Sequence, residues 1–367
     1  MKIKLGKADG YGENITVSEK AANLHFLITG ISGTGKTIAL QEIEQSIADA
    51  GGCVVVLNYN STHLWDKYAP GSIIHCPVKE KGFPFPLLCP ITVQNRQCET
   101  PEDVLETVVD AFHAAAHLGT AQKRKLYEAL RQTIQSPNYS GETLLTPDAL
   151  EKTEIEDFSP ITRRYKGIFQ RLRFTPEPLT LMSGKIYNID FSGFDTLTQL
   201  LLAELALSWL WRYAQFHDGK RMHSIFAACD EFQNLNHSEG STMAQILREG
   251  RKKQLFLLLV TQTLADVEQD NQVILSQAAT RLFFRPTEQE LRQTAKLLDA
   301  QHIEEMCGLL RGLQTGECIA KGKLCAGNVT VERGLKMAFS ITIQERRPHV
   351  CLNPTRISLK SKNCAEC

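Results

Sequence analysis

A glycine-rich octapeptide that ends in lysine and threonine has the spacing of a phosphate-binding loop. Residues 30–37 have the sequence GISGTGKT, which fits the pattern GxxxxGK[ST] in full. Glycines let the backbone turn its N–H groups around phosphate oxygens, and the N-terminus of a following helix adds partial positive charge. The candidate nucleotide-binding residues are Gly30, Ser32, Gly33, Thr34, Gly35, Lys36 and Thr37.

The surroundings of the octapeptide favour nucleotide binding over a glycine-rich turn that binds nothing. Residues 24–29 form a short apolar run, and residues 35–50 repeat apolar side chains at helical spacing. A strand before the motif and a helix after it are the context that the motif requires. We therefore expect Lys36 to reach the β- and γ-phosphates and the Thr37 hydroxyl to ligate Mg²⁺.

Two adjacent carboxylates, Asp230 and Glu231, follow the apolar run 225–229. The carboxyl ends of strands are where open α/β sheets bind ligands. We expect Asp230 to hold Mg²⁺ through its water shell and Glu231 to polarise the attacking water as a general base. The alternative is an acidic pair that faces solvent at a strand end. A glutamate beside the aspartate favours a hydrolase over a small-molecule kinase, because a kinase needs no group to activate water.

Gln262 follows the next apolar run, 255–260, and a basic segment, 248–254 (REGRKKQ), precedes that run. A glutamine at this strand end can hydrogen-bond the γ-phosphate or the lytic water and so report hydrolysis to neighbouring elements. The basic segment has two interpretations that composition leaves open. It is either a solvated helix end, where the dipole favours cations, or a source of an arginine finger.

Short apolar runs alternate with helical patterns, which predicts an α/β fold with a mostly parallel sheet covered on both faces. The runs are 24–29, 53–57, 185–189, 225–229 and 255–260, and residues 62–92 are predicted to be a proline-rich loop. We expect residues 1–96 and 181–345 to form the two parts of the core. We expect 97–180 to be a helical insertion, with helices at 101–135 and 159–174, and 346–367 a basic tail.

The composition excludes several classes of protein. The 367 residues include 41 Lys+Arg and 41 Asp+Glu, so no global field attracts nucleic acid or anionic membrane, and such binding needs local patches. The longest apolar runs are too short to cross a bilayer, and the N-terminus lacks a signal-peptide pattern. Eleven cysteines is an odd count for a disulfide framework. Buried thiols in a reducing cytosol are expected, so we predict a cytoplasmic protein.

In combination these motifs resemble the HerA–FtsK superfamily of P-loop ATPases, above all HerA-like ATPases and the motor and coupling ATPases of type IV secretion and conjugation. The matching segments are GISGTGKT at 30–37, DEF at 230–232, ILREGRKK at 246–253 and TQ at 261–262. The resemblance implies a RecA-like core that uses ATP and Mg²⁺. It also implies a ring, typically a hexamer, that translocates DNA or sometimes protein, with ATP hydrolysis stimulated by DNA.

The resemblance also implies individual roles. Lys36 and Thr37 correspond to the Walker A pair, and Asp230 and Glu231 to the Walker B pair. Gln262 corresponds to the sensor glutamine. Arg251 aligns with the arginine offered to the neighbouring subunit's nucleotide, and Arg248 and Arg285 are second candidates for that role.

The chain also departs from these families. HerA proteins usually begin with a small β-barrel and the coupling proteins with membrane helices, and the sequence predicts neither. Residues 58–60 are Asn-Tyr-Asn where an acidic residue is common. We therefore expect a motor core whose targeting modules come from a partner protein. Two hypotheses stay open: an oligomeric DNA-translocating motor, and an ATP-gated assembly protein that scaffolds a partner enzyme.

Residues 163–174 (RRYKGIFQRLRF) are the first candidate for DNA contact, since cations track phosphates and aromatic side chains stack on bases. The candidate residues are Arg163, Arg164, Lys166, Arg171 and Arg173. An amphipathic helix that buries Ile168, Phe169 and Leu172 is the favoured alternative. The basic tail is a second candidate. It ends in a CxxC pair, Cys364 and Cys367, which supplies two of the four ligands of a zinc site, so a tail without metal is favoured.

Overall fold

The computed structural model describes residues 1–8, 14–17, 21–59, 68–69, 71–93, 96–137, 139, 141–146, 149, 168–169, 172–175, 179–216, 223–264, 275–327, 329–331 and 335–338. The strands are β1 (Ile3–Lys7), β2 (Asn14–Val17), β3 (Phe26–Thr29), β4 (Cys53–Asn58), β5 (Ile73–Pro77), β6 (Thr92–Val93), β7 (Arg96–Gln97), β8 (Ile186–Asp190), β9 (Ile225–Cys229), β10 (Leu255–Thr261), β11 (Thr280–Phe283), β12 (Glu317–Lys321), β13 (Leu324–Ala326), β14 (Val329–Val331) and β15 (Leu335–Ala338). The helices are α1 (Lys36–Asp49), α2 (Val78–Lys81), α3 (Pro101–Ala116), α4 (Thr120–Ile134), α5 (Thr196–Phe216), α6 (Thr242–Lys253), α7 (Leu291–Leu298) and α8 (Ile303–Arg311).

Seven strands form a parallel half-sheet in the order β11-β3-β10-β9-β4-β8-β5. Five of them are the apolar runs of the sequence. Strands buried on both faces are uniformly apolar, and β4, β9 and β10 are buried at every residue. The predicted α/β fold with a mostly parallel sheet is confirmed for this half.

The other half of the sheet is antiparallel and was not predicted. Beyond β11 the order continues β12-β15-β1-β2-β13-β14. These strands have three to five residues each, and β1 pairs with β15 through Lys7 and Ala338. Such short strands carry little apolar periodicity, and two of their pairings, β1 with β15 and β2 with β13, join opposite ends of the chain. Local sequence patterns therefore do not reveal them.

Helices cover both faces of the parallel half, as the alternation of side chains along β4 shows. Val54 and Val56 pack in one cluster with the apolar side of α1. Val55 and Leu57 point to the opposite face and pack in a cluster that includes α5 and α3. Helix α1 is thereby held against the sheet on one face, and α5 lies on the other.

Two regional predictions meet the structure only in part. Residues 62–92 were predicted to be a loop, but they contain β5 and α2, because the run Ile73–Pro77 is too short and half-buried to be recognised. Helices α3 and α4 lie where helices were expected, whereas most of the expected helix 159–174 is outside the described residues. The division of the chain into core, insertion and tail stays a prediction. Among the described helices, none is both long and apolar enough to cross a membrane.

A buried ion pair attaches the segment before α3 to α5. Arg212 donates to both carboxylate oxygens of Glu99 at 2.8 Å, and the two side chains are only 5% and 4% exposed. Two more of the Arg212 N–H groups donate to the carbonyls of Leu87 and Cys89, and Glu99 also accepts the backbone N–H of Ile91. A buried charge needs such extensive pairing, and these bonds attach the backbone at Leu87, Cys89 and Ile91 to α5.

We predict that Glu99→Ala lowers the free energy of unfolding by about 3–5 kcal/mol, because it leaves the Arg212 guanidinium buried without its counter-charge. Urea unfolding followed by circular dichroism measures the change. The matched control is Glu128→Ala, which removes an exposed pair with Arg124 on α4 and should change the free energy by less than about 0.5 kcal/mol. Equal effects of the two substitutions would contradict the prediction.

Candidate active site

The glycine-rich loop connects β3 to α1 and lies against two other strands. Gly30 has φ +148°, and a Cβ added there would lie 2.5 Å from the Cβ of Phe284. Gly35 has φ +104°, and its Cβ would lie 3.1 Å from the Cα of Gly316. Both positions therefore need glycine for the backbone angle and for the close approach of a neighbouring chain segment.

Backbone hydrogen bonds hold the loop in place from both sides. The Ile31 N–H donates to the Arg285 carbonyl at 2.9 Å, just after β11. The Gly316 N–H donates to the Thr34 carbonyl at 2.8 Å, just before β12. The Thr34 hydroxyl closes the loop internally by donating to the Ile31 carbonyl. The conformation of the loop is thus determined largely by segments more than 250 residues away in the chain.

Lys36 begins α1, and its ammonium group lies under the loop. It is 8% exposed and donates to the carbonyls of Gly30 at 2.6 Å and Ile31 at 3.0 Å. Burial lowers the pKa of Lys36, while the negative charges of Glu231 and Asp230 act in the opposite direction. Because β3, which leads into the loop, and β9, which leads into the acidic pair, both pair in parallel with β10, the lysine and the acidic pair lie at the same edge of the sheet. Thr37 follows on the first turn of α1, half-buried.

The acidic pair leaves β9 through a strained turn. Glu231 has φ +53° and ψ +44°, a left-handed conformation that costs a non-glycine residue on the order of 1–2 kcal/mol. Its N–H donates to Oδ1 of Asp230 at 3.0 Å. Its carboxylate accepts the side-chain amide of Gln233 at 2.6 Å and, on the other oxygen, the amide of Gln262. The Glu231 carboxylate is therefore oriented by two amide groups.

Gln262 reaches Glu231 because β9 and β10 are parallel neighbours whose carboxyl ends lie at the same sheet edge. β10 also pairs with β3, which leads into the loop. The structure therefore brings together Lys36, the acidic pair and Gln262, as the sequence predicts for a strand-end site. Their catalytic roles remain predictions.

Two further residues of this edge were missed. The hydroxyl of Tyr59, after β4, donates to the Asp230 carbonyl, and burial raises the pKa of Tyr59 with the nearby acidic groups adding to the effect. Glu204 lies in the apolar helix α5 and accepts the Asn236 N–H. Burial raises the pKa of Glu204 to about 7. Tyr59 directly follows an apolar strand and could have been found, but nothing in the sequence of α5 places Glu204 behind the acidic pair.

The three candidate arginines lie in different places. Arg251 is exposed near the end of α6, and its guanidinium makes no hydrogen bond or ion pair with any residue that the structure describes. Arg251 precedes β10 and Gln262 follows it. Because β10 has seven residues, the two positions lie roughly 20 Å apart along the sheet. Arg248 pairs with Glu239 at 3.0 Å. Arg285 is exposed beside the loop. The structure thus does not bring Arg251 to the phosphate loop of its own chain.

Most of the candidate DNA-binding residues lie outside the described part of the chain. These are Arg163, Arg164, Lys166 and Arg171, and the tail with its CxxC pair lies outside it too. Arg173 is described and exposed. Ile168, Phe169 and Leu172 are buried, which is the packing that the amphipathic alternative requires. Among the described residues, no cluster of three or more His, Cys, Asp or Glu side chains could hold a metal.

Comparison with known proteins agrees with the fold. Residues 4–61 match the family model of the helicase HerA-like C-terminal domain. The fold is similar to VirB4 of Thermoanaerobacter pseudethanolicus, at 15% identity and a TM-score of 0.66, over 93% of this chain and 96% of that chain. A comparison with curated proteins gives no match.

Two structures of the plasmid coupling protein TrwB are also similar. The complex with a non-hydrolysable ATP analogue has 14% identity and a TM-score of 0.62, over 90% of this chain and 92% of that chain. The complex with ADP and Mg²⁺ has 13% identity and a TM-score of 0.59, over the same shares. At these identities the likeness shows the fold. With the family model, it confirms the resemblance that the motifs indicated.

We predict that Lys36→Ala weakens binding of a fluorescent ATP analogue by about 100-fold or more, since a buried cation opposite the phosphates is removed. Glu231→Gln should bind the analogue as the wild type does, because only the proton acceptor is changed, yet it should hydrolyse ATP at no measurable rate. Lys185→Ala, at the opposite edge of the sheet, is the control and should alter neither quantity. Wild-type turnover by Glu231→Gln would show that another group is the base.

Proposed function

We propose that this chain is an ATP-hydrolysing motor of the HerA–FtsK type that works as a ring oligomer and translocates or remodels DNA. The observation that supports the proposal most directly is the hydrogen bond between Gln262 and Glu231 at the sheet edge that also holds Lys36. A carboxylate oriented by two amides beside a phosphate loop is suited to activate water. A protein that only bound nucleotide would not need a carboxylate oriented in this way.

ATP and Mg²⁺ fit the groups at this edge. Lys36 and the backbone of residues 30–35 suit the phosphates of a nucleotide. The Thr37 hydroxyl and the Asp230 carboxylate are hard oxygen donors, which Mg²⁺ prefers, and they would hold the ion. When bound, Mg²⁺ supplies positive charge that offsets the negative charge of the phosphates.

Hydrolysis then requires a group that takes a proton from water. Glu231 is the proposed acceptor, and the water oxygen attacks the γ-phosphorus as the bond to the β-phosphate oxygen breaks. Lys36 stabilises the negative charge on the transferring group. Gln262 donates to the same carboxylate, so it can respond when the water or the γ-phosphate is lost.

The second candidate function is an ATP-gated assembly protein. It shares the phosphate loop but needs neither an oriented base nor a sensor, so the contact between Glu231 and Gln262 favours turnover. DNA is the proposed substrate because the coupling protein TrwB is described as conjugative. The balanced charge of this chain means that DNA contact depends on local patches, for which residues 163–173 remain the proposed position.

We predict that the ATPase rate rises on addition of double-stranded DNA and that the stimulation falls steeply with salt, as for contacts to phosphates. A coupled assay measures the rate between 50 and 200 mM salt, the range over which phosphate contacts typically lose about 10³–10⁵ in affinity. Light scattering gives the oligomer mass, and Glu231→Gln reports background hydrolysis. Assembly on ATP without turnover would favour the gated assembly protein. Turnover indifferent to DNA would contradict the proposed substrate.

We propose further that the active site is shared between subunits. Lys36 lies on the near side of the phosphates, and transition-state charge on the far side calls for a second cation. Arg251 stands too far along the sheet to serve its own chain's loop, and its guanidinium has no partner among the described residues. An exposed arginine with no partner in the described part of the chain suits a contact with the nucleotide of a neighbouring subunit.

Arg251→Ala should therefore bind ATP and assemble but lose about 10³–10⁵ in turnover, the usual contribution of an arginine finger. Mixing it with Lys36→Ala should restore part of the activity, because some interfaces then pair an intact loop with an intact arginine. Lys252→Ala, the exposed neighbour on α6, is the control. Inactive mixed rings, or an active Arg251→Ala, would count against Arg251 as the shared residue.

A further inference from the structure

Helices α7 and α8 form a small unit with a hydrophobic cluster of its own. Phe283 of β11 and Ile319 of β12 belong to the cluster, so the unit is attached to the sheet through these two strands. The full cluster consists of Phe283, Leu291, Ala295, Leu298, Cys307, Leu310, Leu313 and Ile319. The two helices are therefore held together, and to β11 and β12, by one shared cluster, and they contact the rest of the molecule at two further points.

One of these points is Glu290, the residue before α7. Its Oε1 accepts the backbone N–H of Leu264 at 2.8 Å and the hydroxyl of Thr263. Its Oε2 accepts the hydroxyl of Thr287 at 3.2 Å. The residue is only 8% exposed, so the carboxylate is removed from water and depends on such donors. Thr263 and Leu264 directly follow Gln262.

The segment that Glu290 holds is a tight turn around Gln262. The Thr261 hydroxyl donates to the Thr263 carbonyl at 2.8 Å and accepts the Thr263 N–H at 3.3 Å. Gln262 is therefore placed between a hydroxyl on one side and two groups bound to Glu290 on the other. Its side chain extends from this turn to Glu231.

The other point of contact is Gly316, which follows α8. Its N–H donates to the Thr34 carbonyl of the phosphate loop at 2.8 Å, and its Cα would lie 3.1 Å from a Cβ added to Gly35. The unit α7–α8 thus touches the phosphate loop at one end and the turn of Gln262 at the other. A continuous series of contacts runs from the loop through Gly316, α8, α7, Glu290 and Gln262 to Glu231.

We propose that Glu290 is a positioning residue for ATP hydrolysis: through Thr263 and Leu264 it sets Gln262 against Glu231. It also connects this glutamine to α7–α8 and hence to the phosphate loop. The inference rests on the proposed function, because the position of Gln262 affects turnover only if the chain hydrolyses ATP. The hydrogen bonds of Glu290 described above go to Thr263, Leu264 and Thr287, none of which belongs to the phosphate loop. Glu290 therefore acts on the rate of the chemical step and leaves nucleotide binding unchanged.

Three variants separate this role from a general structural one. Glu290→Ala removes the acceptor, whereas Glu290→Gln keeps an amide oxygen that can accept from Thr263 and Leu264. Glu288→Ala is the matched control, because Glu288 lies two residues away, is exposed and pairs with Arg311 instead. Glu290→Ala should lower kcat about 10–100-fold, the usual effect of losing a residue that orients a catalytic group. Its affinity for the ATP analogue should stay within about twofold of wild type.

Glu290→Gln should keep most of the wild-type kcat, and Glu288→Ala all of it. In the Gln262→Ala background, Glu290→Ala should have no further effect on kcat, because both substitutions remove the same contact. Effects that multiply in the double variant, or an equal loss in Glu290→Gln, would overturn the inference. If Glu290→Ala does not fold, Thr263→Val breaks the link from the other side and should lower kcat in the same direction, again without effect in the Gln262→Ala background.

Hydrogen exchange tests the contact without any turnover. The Leu264 amide donates to Glu290, so its hydrogen should exchange faster in Glu290→Ala than in the wild type. In Glu288→Ala its exchange rate should equal that of the wild type. If the wild-type protein hydrolyses ATP under no condition, the proposed function fails. The exchange result still decides whether Glu290 holds the turn of Gln262. Unchanged exchange at Leu264 in Glu290→Ala would overturn the inference in either case.

Discussion

The close approach of the phosphate loop to the segments after β11 and before β12 is the constraint on which the rest of the site depends. Gly30 lies against Phe284 and Gly35 against Gly316, at distances that leave no space for a Cβ. Backbone hydrogen bonds from Ile31 and to Thr34 fix the same two contacts. The loop is therefore fixed in position by the segments that lead out of β11 and into β12.

The parallel half-sheet brings the other parts of the site to the same edge. Strands β3, β10 and β9 are neighbours, and each of them ends in a segment that bears one part of the site. Their apolar faces are buried against α1 and α5, so polar groups collect at the carboxyl edge, where hydrogen bonding is still available. This arrangement includes one strained residue. Glu231 adopts a left-handed backbone conformation and is held there by hydrogen bonds with Asp230, Gln233 and Gln262. Strain of this kind persists only where the surroundings over-determine a residue.

Two arginine-rich segments, the basic end of α6 and residues 163–174, show that a charge pattern identifies a function less directly than a motif does. The basic end of α6 is an ordinary helix terminus by its dipole, and only its distance from the phosphate loop of the same chain points to a role between subunits. Of the described residues in the second segment, Ile168, Phe169 and Leu172 are buried and Arg173 is exposed, as expected for any amphipathic segment. Neither pattern by itself distinguishes a solvated face from a binding face.

The sequence by itself determined five of the seven strands of the parallel half-sheet, the loop at residues 30–37, and the placement of Asp230, Glu231 and Gln262 at strand ends. Buried parallel strands are continuous apolar runs, and the polar residue that ends such a run must lie at the sheet edge, so local pattern suffices. Only the tertiary structure decided the antiparallel half, the contacts of Tyr59 and Glu204, the distance of Arg251 from the loop, and the link from Glu290 to Gln262. Each of these depends on which distant segment lies beside which. Short strands and single buried polar residues have no periodicity from which their partners can be predicted. Their partners are determined by the packing of the whole chain.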